Sequence, residues 1–353
     1  MATIREQIED RERRFLCEQA TLSSESKGRA HDEPECPIRT CFQRDRDRVI
    51  HSKSFRRLKH KTQVFLKPQD DHYRTRLTHT LEVGQIGRTI ARALRLNEDL
   101  VEAIAMGHDL GHTPFGHSGE AALEEIHPGG FAHPAQSLRV VEVLEREGKG
   151  LNLTSEVRDG IARHSKGMAS LKPDDQSLLP STLEGQIVRI SDIIAYVNHD
   201  IDDAIRAKIL TPDSIPEEIA SVLGRSHSGR IGAMVNDVIN STQDLGMSVV
   251  AMSDPVCHAT EQLRAFLYRE VYNHPASVAE FEKAKNLLKQ LYAYYLAHID
   301  KVPTPAFGGR QESANQLVCD YVAGMTDGYA ILVYEKIFVP HPWARGEYRD
   351  VFA

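Results

Sequence analysis

The sequence predicts an all-α protein, a helical bundle that carries an additional C-terminal helical lobe. Apolar residues recur at helical spacing along most of the chain from about residue 46 onward. The strict alternation that marks half-buried strands is scarce throughout. Clusters of glycine, proline and serine separate the periodic segments, as expected for loops between helices.

Length and composition fit an ordinary globular protein of one large or two modest domains, with 353 residues, 41% of them hydrophobic and 26% charged. No apolar run approaches the roughly 18 to 20 residues that span a bilayer, and the N-terminus is charged, so we expect a cytoplasmic protein without membrane contact. The five cysteines are odd in number and scattered, which favours reduced, structural thiols over a disulfide framework or a thiolate zinc site.

The net charge of −7 argues against a general nucleic-acid-coating role. One segment is nevertheless basic, because residues 44–76 contain eleven Lys and Arg against four Asp. Two interpretations remain open for this segment. It is either a solvated helix face laced with ion pairs or a polyanion site built from arginine forks.

The pattern divides the chain into an N-terminal arm (1–43), a catalytic core (44–210) and a C-terminal helical lobe (211–353) packed on the core. The arm begins with a charged helical stretch and continues as a Ser/Pro-rich segment, which indicates an extended arm over the body or over a partner subunit. The segments with helical spacing are 74–96, 98–107, 133–147, 154–164, 181–208, 215–245, 258–273, 276–298 and 311–335.

The segment GHDLGHTPFGHSGE, residues 107–120, interrupts the helical pattern with glycine and proline. It predicts a helix end, a constrained turn and a new helix start. Three histidines and an aspartate crowd this turn, which offers little to a hydrophobic core and much to a metal or a phosphate.

A metal site follows from where the histidines and aspartates fall. His79 lies in the first strong helix, and His108 and Asp109 end the next, so an antiparallel helix pair would bring the three together. Asp192 can join them from the 181–208 helix. Two imidazoles and two carboxylates form a mixed nitrogen and oxygen set, which suits Mn, Fe, Co, Ni or Zn, whereas an all-oxygen cage is typical of Mg or Ca. Four protein ligands also leave room for the water or substrate that hydrolysis needs.

The same long helix supplies a second pattern. Asp192, Tyr196 and Asp200 stand at i, i+4 and i+8 and therefore share one helix face. Acidic residues buried together need a cation or a hydroxyl-bearing ligand. The alternative is an exposed acidic stripe, since Asp202 and Asp203 follow closely.

Four separated motifs, in order, closely resemble the bacterial deoxyguanosinetriphosphate triphosphohydrolase family of the HD-domain superfamily. They are DRDRVIHSKSFRRLKHKTQVF, HYRTRLTHTLEVGQIGRTIARAL, GHDLGHTPFGHSGE and RISDIIAYVNHDIDDA. The resemblance runs from about residue 28 to about residue 337. It implies an HD-domain bundle and metal-dependent hydrolysis of 2′-deoxynucleoside 5′-triphosphates, dGTP or several dNTPs, to deoxynucleoside and inorganic tripolyphosphate.

The resemblance also implies roles for individual residues. The metal ligands fall on the same four residues, and a catalytic dyad falls on His117 and Glu120. The remaining candidates are His112 and His133 as further catalytic residues beside the dyad, Gln63 for the deoxyribose 3′-hydroxyl, Arg76 for the α-phosphate, Tyr196 and Asp200 for the sugar, and Arg48 for substrate.

By the same resemblance we expect a divalent cofactor, with Mn or Mg favoured, a homo-oligomer, and dNTP or single-stranded DNA effectors. Two departures from the family pattern stand at Pro134 and Gly328, where the family has Asn and often Arg. Two other functions remain open: another HD phosphohydrolase activity, such as a deoxynucleoside monophosphate phosphatase, and a nucleotide-sensing or nucleic-acid-binding protein without turnover.

Overall fold

The all-α prediction is confirmed in the computed structural model, which describes residues 2–63, 74–165, 171, 175–303 and 312–340. Within those ranges the only β-type pairings are two isolated bridges, Arg29 with Thr154 and Thr62 with Thr75. None of the described helices is both long and apolar enough to cross a membrane. The α-helices are α1 (Ile4–Phe15), α2 (Cys41–Ile50), α3 (Lys53–Arg57), α4 (Arg76–Leu94), α5 (Glu98–Gly107), α6 (Gly116–Ile126), α7 (His133–Arg139), α8 (Glu145–Gly148), α9 (Ser155–Arg163), α10 (Leu183–Arg206), α11 (Glu217–Leu223), α12 (His227–Asp244), α13 (Asp254–Leu267), α14 (Pro275–Ala297), α15 (Ala314–Ala323) and α16 (Asp327–Phe338).

In the C-terminal lobe, two predicted helical segments each turn out to be two helices. The 215–245 segment breaks at Gly224, whose φ of 92° ends α11, and Ser226 then caps α12. The 311–335 segment breaks after Ala323, and the Thr326 side chain caps α16. Apolar spacing continues across both breaks, so periodicity alone did not reveal them.

Helix α5 lies at the centre of the bundle, where it contacts α2, α4, α9 and α10. Its packing on α9 depends on two glycines. A Cβ on Gly107 would meet the Ile161 side chain at 2.5 Å, and a Cβ on Gly160 would meet the Ile104 side chain at 2.5 Å. The two helices therefore approach closely, and their C-terminal ends lie side by side.

The hydrophobic core has two parts. The larger surrounds α5 and continues through α11–α13 as far as Val271. The smaller joins α6 to α14, α15 and α16, with Leu123 and Leu288 among its fully buried members. The predicted domain boundary at residue 210 stays a prediction, and the larger cluster extends across it.

The N-terminal arm lies over the body of its own chain. Thr21 donates its backbone N–H to Glu184 at 2.9 Å, and the Lys27 N–H donates to Glu156 at 2.6 Å. Arg29 forms an ion pair with the fully buried Asp45. These contacts hold the arm against helices α2, α9 and α10.

Arginines at the start of the basic segment are ion-paired rather than free. Arg46 contacts Glu102 at 3.1 Å, and both Arg44 and Arg48 contact Glu33, at 3.3 and 2.6 Å. For these three side chains the ion-pair interpretation of the segment holds.

Because α9 has no room for a side chain at Gly160, we predict that Gly160→Ala lowers the free energy of unfolding by about 1–3 kcal/mol. Gly232, inside α12, is the matched control, since an added Cβ there would meet nothing within 4 Å. Gly232→Ala should stabilise the protein by about 0.5–1 kcal/mol, because alanine is the better helix former. Urea denaturation of both variants checks this, and equal effects of the two substitutions would contradict the close α5–α9 packing.

Candidate functional site

Three helices bring the four predicted metal ligands to one point. His79 comes from α4, Asp192 from α10, and His108 and Asp109 from the turn directly after α5. His79 Nε2 lies 3.0 Å from Asp192 Oδ1 and 3.9 Å from Asp109 Oδ2. His108 Nε2 lies 3.3 Å from Asp109 Oδ1 and 3.9 Å from Asp192 Oδ1. Such separations suit ligands of one ion, because atoms about 2.1 Å from a shared metal lie roughly 3–4 Å apart.

The hydrogen bonds of His108 test whether these residues fit a metal. His108 Nδ1 donates to the Ala105 carbonyl at 2.6 Å, which leaves the lone pair on Nε2. That Nε2 atom is buried and has no hydrogen-bond partner among the described residues. A histidine anchored through Nδ1 with an unused, buried Nε2 has the arrangement of a metal ligand. With one more imidazole and two carboxylates, the set fits a first-row divalent ion.

The electrostatics of the cluster keep its carboxylates charged. Burial alone would raise the pKa of Asp109, but His108, His112 and Arg76 outweigh it and hold that pKa well below its usual range. Arg76 Nη1 donates to Asp109 Oδ2 at 2.9 Å, and its side chain is only 2% exposed. The Asp192 pKa is likewise lowered, because its bond to His79 overcomes burial.

Glu120 contacts both candidate catalytic histidines, but not equally. It accepts from His133 Nδ1 at 2.9 Å and from the His133 backbone N–H at 2.8 Å. His117 Nδ1 lies 3.8 Å from the other carboxylate oxygen, and its side chain is 78% exposed. Burial opposes ionisation of Glu120, but the nearby His117 and the hydrogen-bonded His133 hold its pKa well below the usual range. Glu120 therefore faces both histidines as a carboxylate.

His112 lies between these two groups. Its Nε2 is 3.2 Å from Asp109 Oδ1, and its ring stacks on that of His133 with centroids 3.8 Å apart. Burial and the nearby Arg76 charge hold the pKa of His112 well below its usual range. The imidazole is therefore neutral at neutral pH, and it links the metal cluster to His133.

Three residues at the site were missed by sequence reasoning. His164, at the C-terminal end of α9, is buried with its Nε2 atom 4.0 Å from Asp109 Oδ1, and burial lowers its pKa to about 3. Its position at the end of a predicted helix, like that of His108, was the available signal. Arg264 donates to the Tyr196 hydroxyl at 2.6 Å, and Tyr272 donates to Asp200. No local pattern in the sequence marks these two.

One cavity of about 600 Å³ connects these groups. Its walls include Gln63, Arg76, His79, Asp109, His112, His117, His133, His164, Asp192, Tyr196, Asp200, Arg264 and Tyr272. A cavity of about 690 Å³ lies behind the turn, against Lys61 and Gly111, so size alone does not identify the site. The His/Asp cluster identifies it, since His79, His108 and Asp109 offer atoms within 4.8 Å of one another.

Arg48 is not brought to this cavity. Its Nη1 donates to the carbonyls of Leu151 and Asn152, at 3.0 and 2.8 Å, and its Nη2 donates to Glu33. A role for Arg48 in binding substrate stays a prediction. Of the two departures from the family pattern, Pro134 lies in the first turn of α7, as the sequence suggested. A Cβ on Gly328 would meet nothing within 4 Å.

Comparison with known proteins supports the family resemblance that the sequence motifs indicated. Residues 76–197 match the HD domain, and residues 250–336 match the Phosphohydrolase-associated domain. A deoxyguanosinetriphosphate triphosphohydrolase-like protein of Caldanaerobacter subterraneus subsp. tengcongensis is 56% identical, over 96% of this chain and 97% of the relative. Proteins of the same name from Desulfatibacillum aliphaticivorans and Clostridium tetani are 53% and 49% identical, each over 96% of this chain and over 99% and 97% of the relative. The chain therefore belongs to the deoxyguanosinetriphosphate triphosphohydrolase-like family of HD-domain phosphohydrolases.

Proposed function

We propose that this phosphohydrolase cleaves 2′-deoxynucleoside 5′-triphosphates at the α-phosphorus, giving deoxynucleoside and inorganic tripolyphosphate. The observation that carries the proposal is the shared cavity of about 600 Å³, whose wall holds both the His/Asp cluster and the Tyr196–Asp200 face of α10. A phosphate at the cluster and a sugar on that face would then belong to one substrate. The names of the relatives support the triphosphate.

At the phosphate end, a divalent ion held by the His/Asp cluster would supply Lewis-acid polarisation of the phosphate and a bound water of lowered pKa. Arg76 lies against Asp109 and adds a fixed positive charge where the phosphate would bind. His117 lines the cavity and turns Nδ1 toward Glu120, so its Nε2 atom is the one that can protonate the leaving 5′-oxygen.

At the sugar end, two buried side-chain oxygens are available as hydrogen-bond acceptors. Gln63 Oε1 and Asp200 Oδ1 have no hydrogen-bond partner within the described part of the chain. Both are acceptors that suit a sugar hydroxyl. The Tyr196 ring is held in place through its hydroxyl by Arg264. A ring fixed against the sugar would leave no room for a ribose 2′-hydroxyl, which accounts for deoxy selectivity.

The setting of the reaction is part of the same proposal. We propose the cytoplasm as the setting, which agrees with the five free cysteines. A homo-oligomer, and dNTP or single-stranded DNA as effectors, are proposed from the family resemblance. Manganese or magnesium is the proposed cofactor.

Product analysis is the direct test of the proposed reaction. With each dNTP and either Mn²⁺ or Mg²⁺, ion-exchange separation should give deoxynucleoside and tripolyphosphate in equal amounts. Asp109→Asn, which removes a ligand charge, should lower kcat on the order of a thousandfold. Asp213→Asn, at an exposed position, should leave kcat unchanged.

Three other outcomes would contradict the proposal. Release of orthophosphate or pyrophosphate alone would contradict cleavage at the α-phosphorus. Turnover of deoxynucleoside monophosphates but not triphosphates would favour the phosphatase alternative. Nucleotide binding without turnover under every metal and effector condition would favour a sensing protein.

The burial of Asp200 has a consequence for stability. Burial raises the pKa of Asp200 to about 7, and the neighbouring Asp203 adds to the effect despite the Tyr272 hydrogen bond. The pKa of an aspartate in an unfolded chain is about 3.9. Between these values the folded state binds the extra proton, so its stability falls as pH rises from about 4 to about 7.

We therefore predict that Asp200→Asn raises Tm relative to wild type more at pH 8 than at pH 5, because the uncharged amide does not carry that penalty. Thermal denaturation of both proteins at the two pH values measures the difference. Asp213→Asn is the matched exposed control, and its Tm difference from wild type should be the same at both pH values. If the Tm difference between Asp200→Asn and wild type is no larger at pH 8 than at pH 5, the Asp200 carboxyl is not held neutral by burial.

A further inference from the structure

We propose that Asp327, the first residue of α16, is a positioning residue for hydrolysis, although it lies in the C-terminal lobe and outside the cavity wall. Its carboxylate fixes the turn that leads into His117 and the segment that ends at Gln63, so it acts through both residues. The inference rests on the proposed function for the roles of His117 and Gln63. The contacts themselves do not depend on which phosphate ester is cleaved.

The Asp327 carboxylate is buried, and each of its oxygens accepts from a different segment. The residue is 3% exposed. Its Oδ1 atom accepts the backbone N–H of Phe115 at 3.0 Å. Its Oδ2 atom accepts the backbone N–H and the hydroxyl of Thr62, at 3.1 and 2.7 Å. A buried carboxylate persists only where donors surround it, so these bonds hold both segments in fixed positions against the start of α16.

Phe115 depends on such a contact because its backbone is strained. Its φ is 62°, in the left-handed region, and it begins α6 without a side-chain capping bond. A bulky residue persists in this region only where the surrounding structure fixes it. The bond to Asp327 supplies part of that restraint. His117 follows two residues later in the first turn of α6, so the same bond sets the position of His117 in the cavity wall.

Thr62 connects the same carboxylate to the sugar end of the cavity. It pairs with Thr75 in an isolated bridge and directly precedes Gln63. Gly116 leaves no spare space beside this segment, because its Cβ would lie 3.3 Å from both Arg76 Nη2 and the Gln63 carbonyl oxygen. The start of α6 and the segment that ends at Gln63 therefore lie against each other, and a shift of one displaces the other.

Lys61 provides a second connection between the turn and the C-terminal lobe. Its buried Nζ donates to the carbonyl of His112 and to that of Ala323, the last residue of α15. The stretch from His112 to Phe115 is thus held at one end through Lys61 and at the other through Asp327. Asparagine has the shape of aspartate but one acceptor oxygen instead of two, so Asp327→Asn breaks one of the two Asp327 connections at nearly constant volume.

Hydrogen exchange, followed by mass spectrometry, measures the restraint without any hydrolysis. In full-length Asp327→Asn, the peptide containing Phe115, the peptide containing Thr62 or both should exchange faster than in wild type. Peptides from α1 should exchange at the wild-type rate. Asp300→Asn, at an exposed position in the same lobe, is the matched control and should change none of them. Wild-type exchange in both the Phe115 and the Thr62 peptides of Asp327→Asn would overturn the proposal.

A double-mutant cycle with a dNTP separates positioning from a loss of folded protein. Asp327→Asn should lower kcat/KM on the order of tenfold to a hundredfold, as expected when a reacting group is displaced by about 1 Å. In a His117→Ala background the same substitution should lower kcat by less than about twofold, because the residue that it displaces is already gone. An equal factor in both backgrounds would indicate a general loss of stability and would overturn the proposal.

The wild-type result distinguishes this proposal from the proposed function. If wild type releases no tripolyphosphate, the proposed function fails and hydrogen exchange alone decides the role of Asp327. If Asp327→Asn does not fold, as judged by circular dichroism, Thr62→Val takes its place, because it removes the hydroxyl that donates to Asp327. Thr62→Val should speed exchange in its own peptide and raise KM with little change in kcat. Wild-type exchange in that peptide would overturn the proposal.

Discussion

The buried carboxylate of Asp109 is the group on which the rest of the site depends. It stands at the end of the central helix α5 and contacts an arginine from α4 and the histidine that precedes it. Transfer of an isolated carboxylate from water into a protein interior is strongly unfavourable, so it persists only where positive charge and hydrogen bonds surround it. Arg76 supplies part of that charge, and the imidazole nitrogens near both carboxylate oxygens belong to a set of residues that fits a divalent ion.

The packing of α5 on α9 explains why histidines collect around this carboxylate. The contact through Gly107 and Gly160 brings two helix ends together, and each end carries a histidine fixed by the same bond to its own helix. The turn that follows α5 then returns His112 to Asp109. The site is therefore a consequence of close helix packing, and a methyl group at Gly160 would disturb both.

Much of the fold and the metal cluster could be predicted from the sequence, because both depend on local spacing. His79 and Asp192 lie in regular helices, and His108 directly follows one, so position along the chain fixes the side on which each lies. Arg264 and Tyr272 could not be predicted, since they reach Tyr196 and Asp200 from α13 and the turn that follows it, across distances that no local pattern records. Arg48 shows the converse: the basic segment predicted a charge for substrate, but an ion pair with Glu33 of the arm holds the Arg48 guanidinium elsewhere.

The central claim is that the His/Asp cluster and the Tyr196–Asp200 face bind the phosphate and the sugar of one substrate in their shared cavity. Water then attacks the α-phosphorus of that substrate. The most direct measurement is hydrolysis of a dNTP in ¹⁸O-labelled water, followed by mass spectrometry of each product. The account predicts one ¹⁸O atom in the tripolyphosphate and none in the deoxynucleoside. Label in orthophosphate would place the attack at the γ-phosphorus, label in the deoxynucleoside would place it at carbon 5′, and either result would contradict the account.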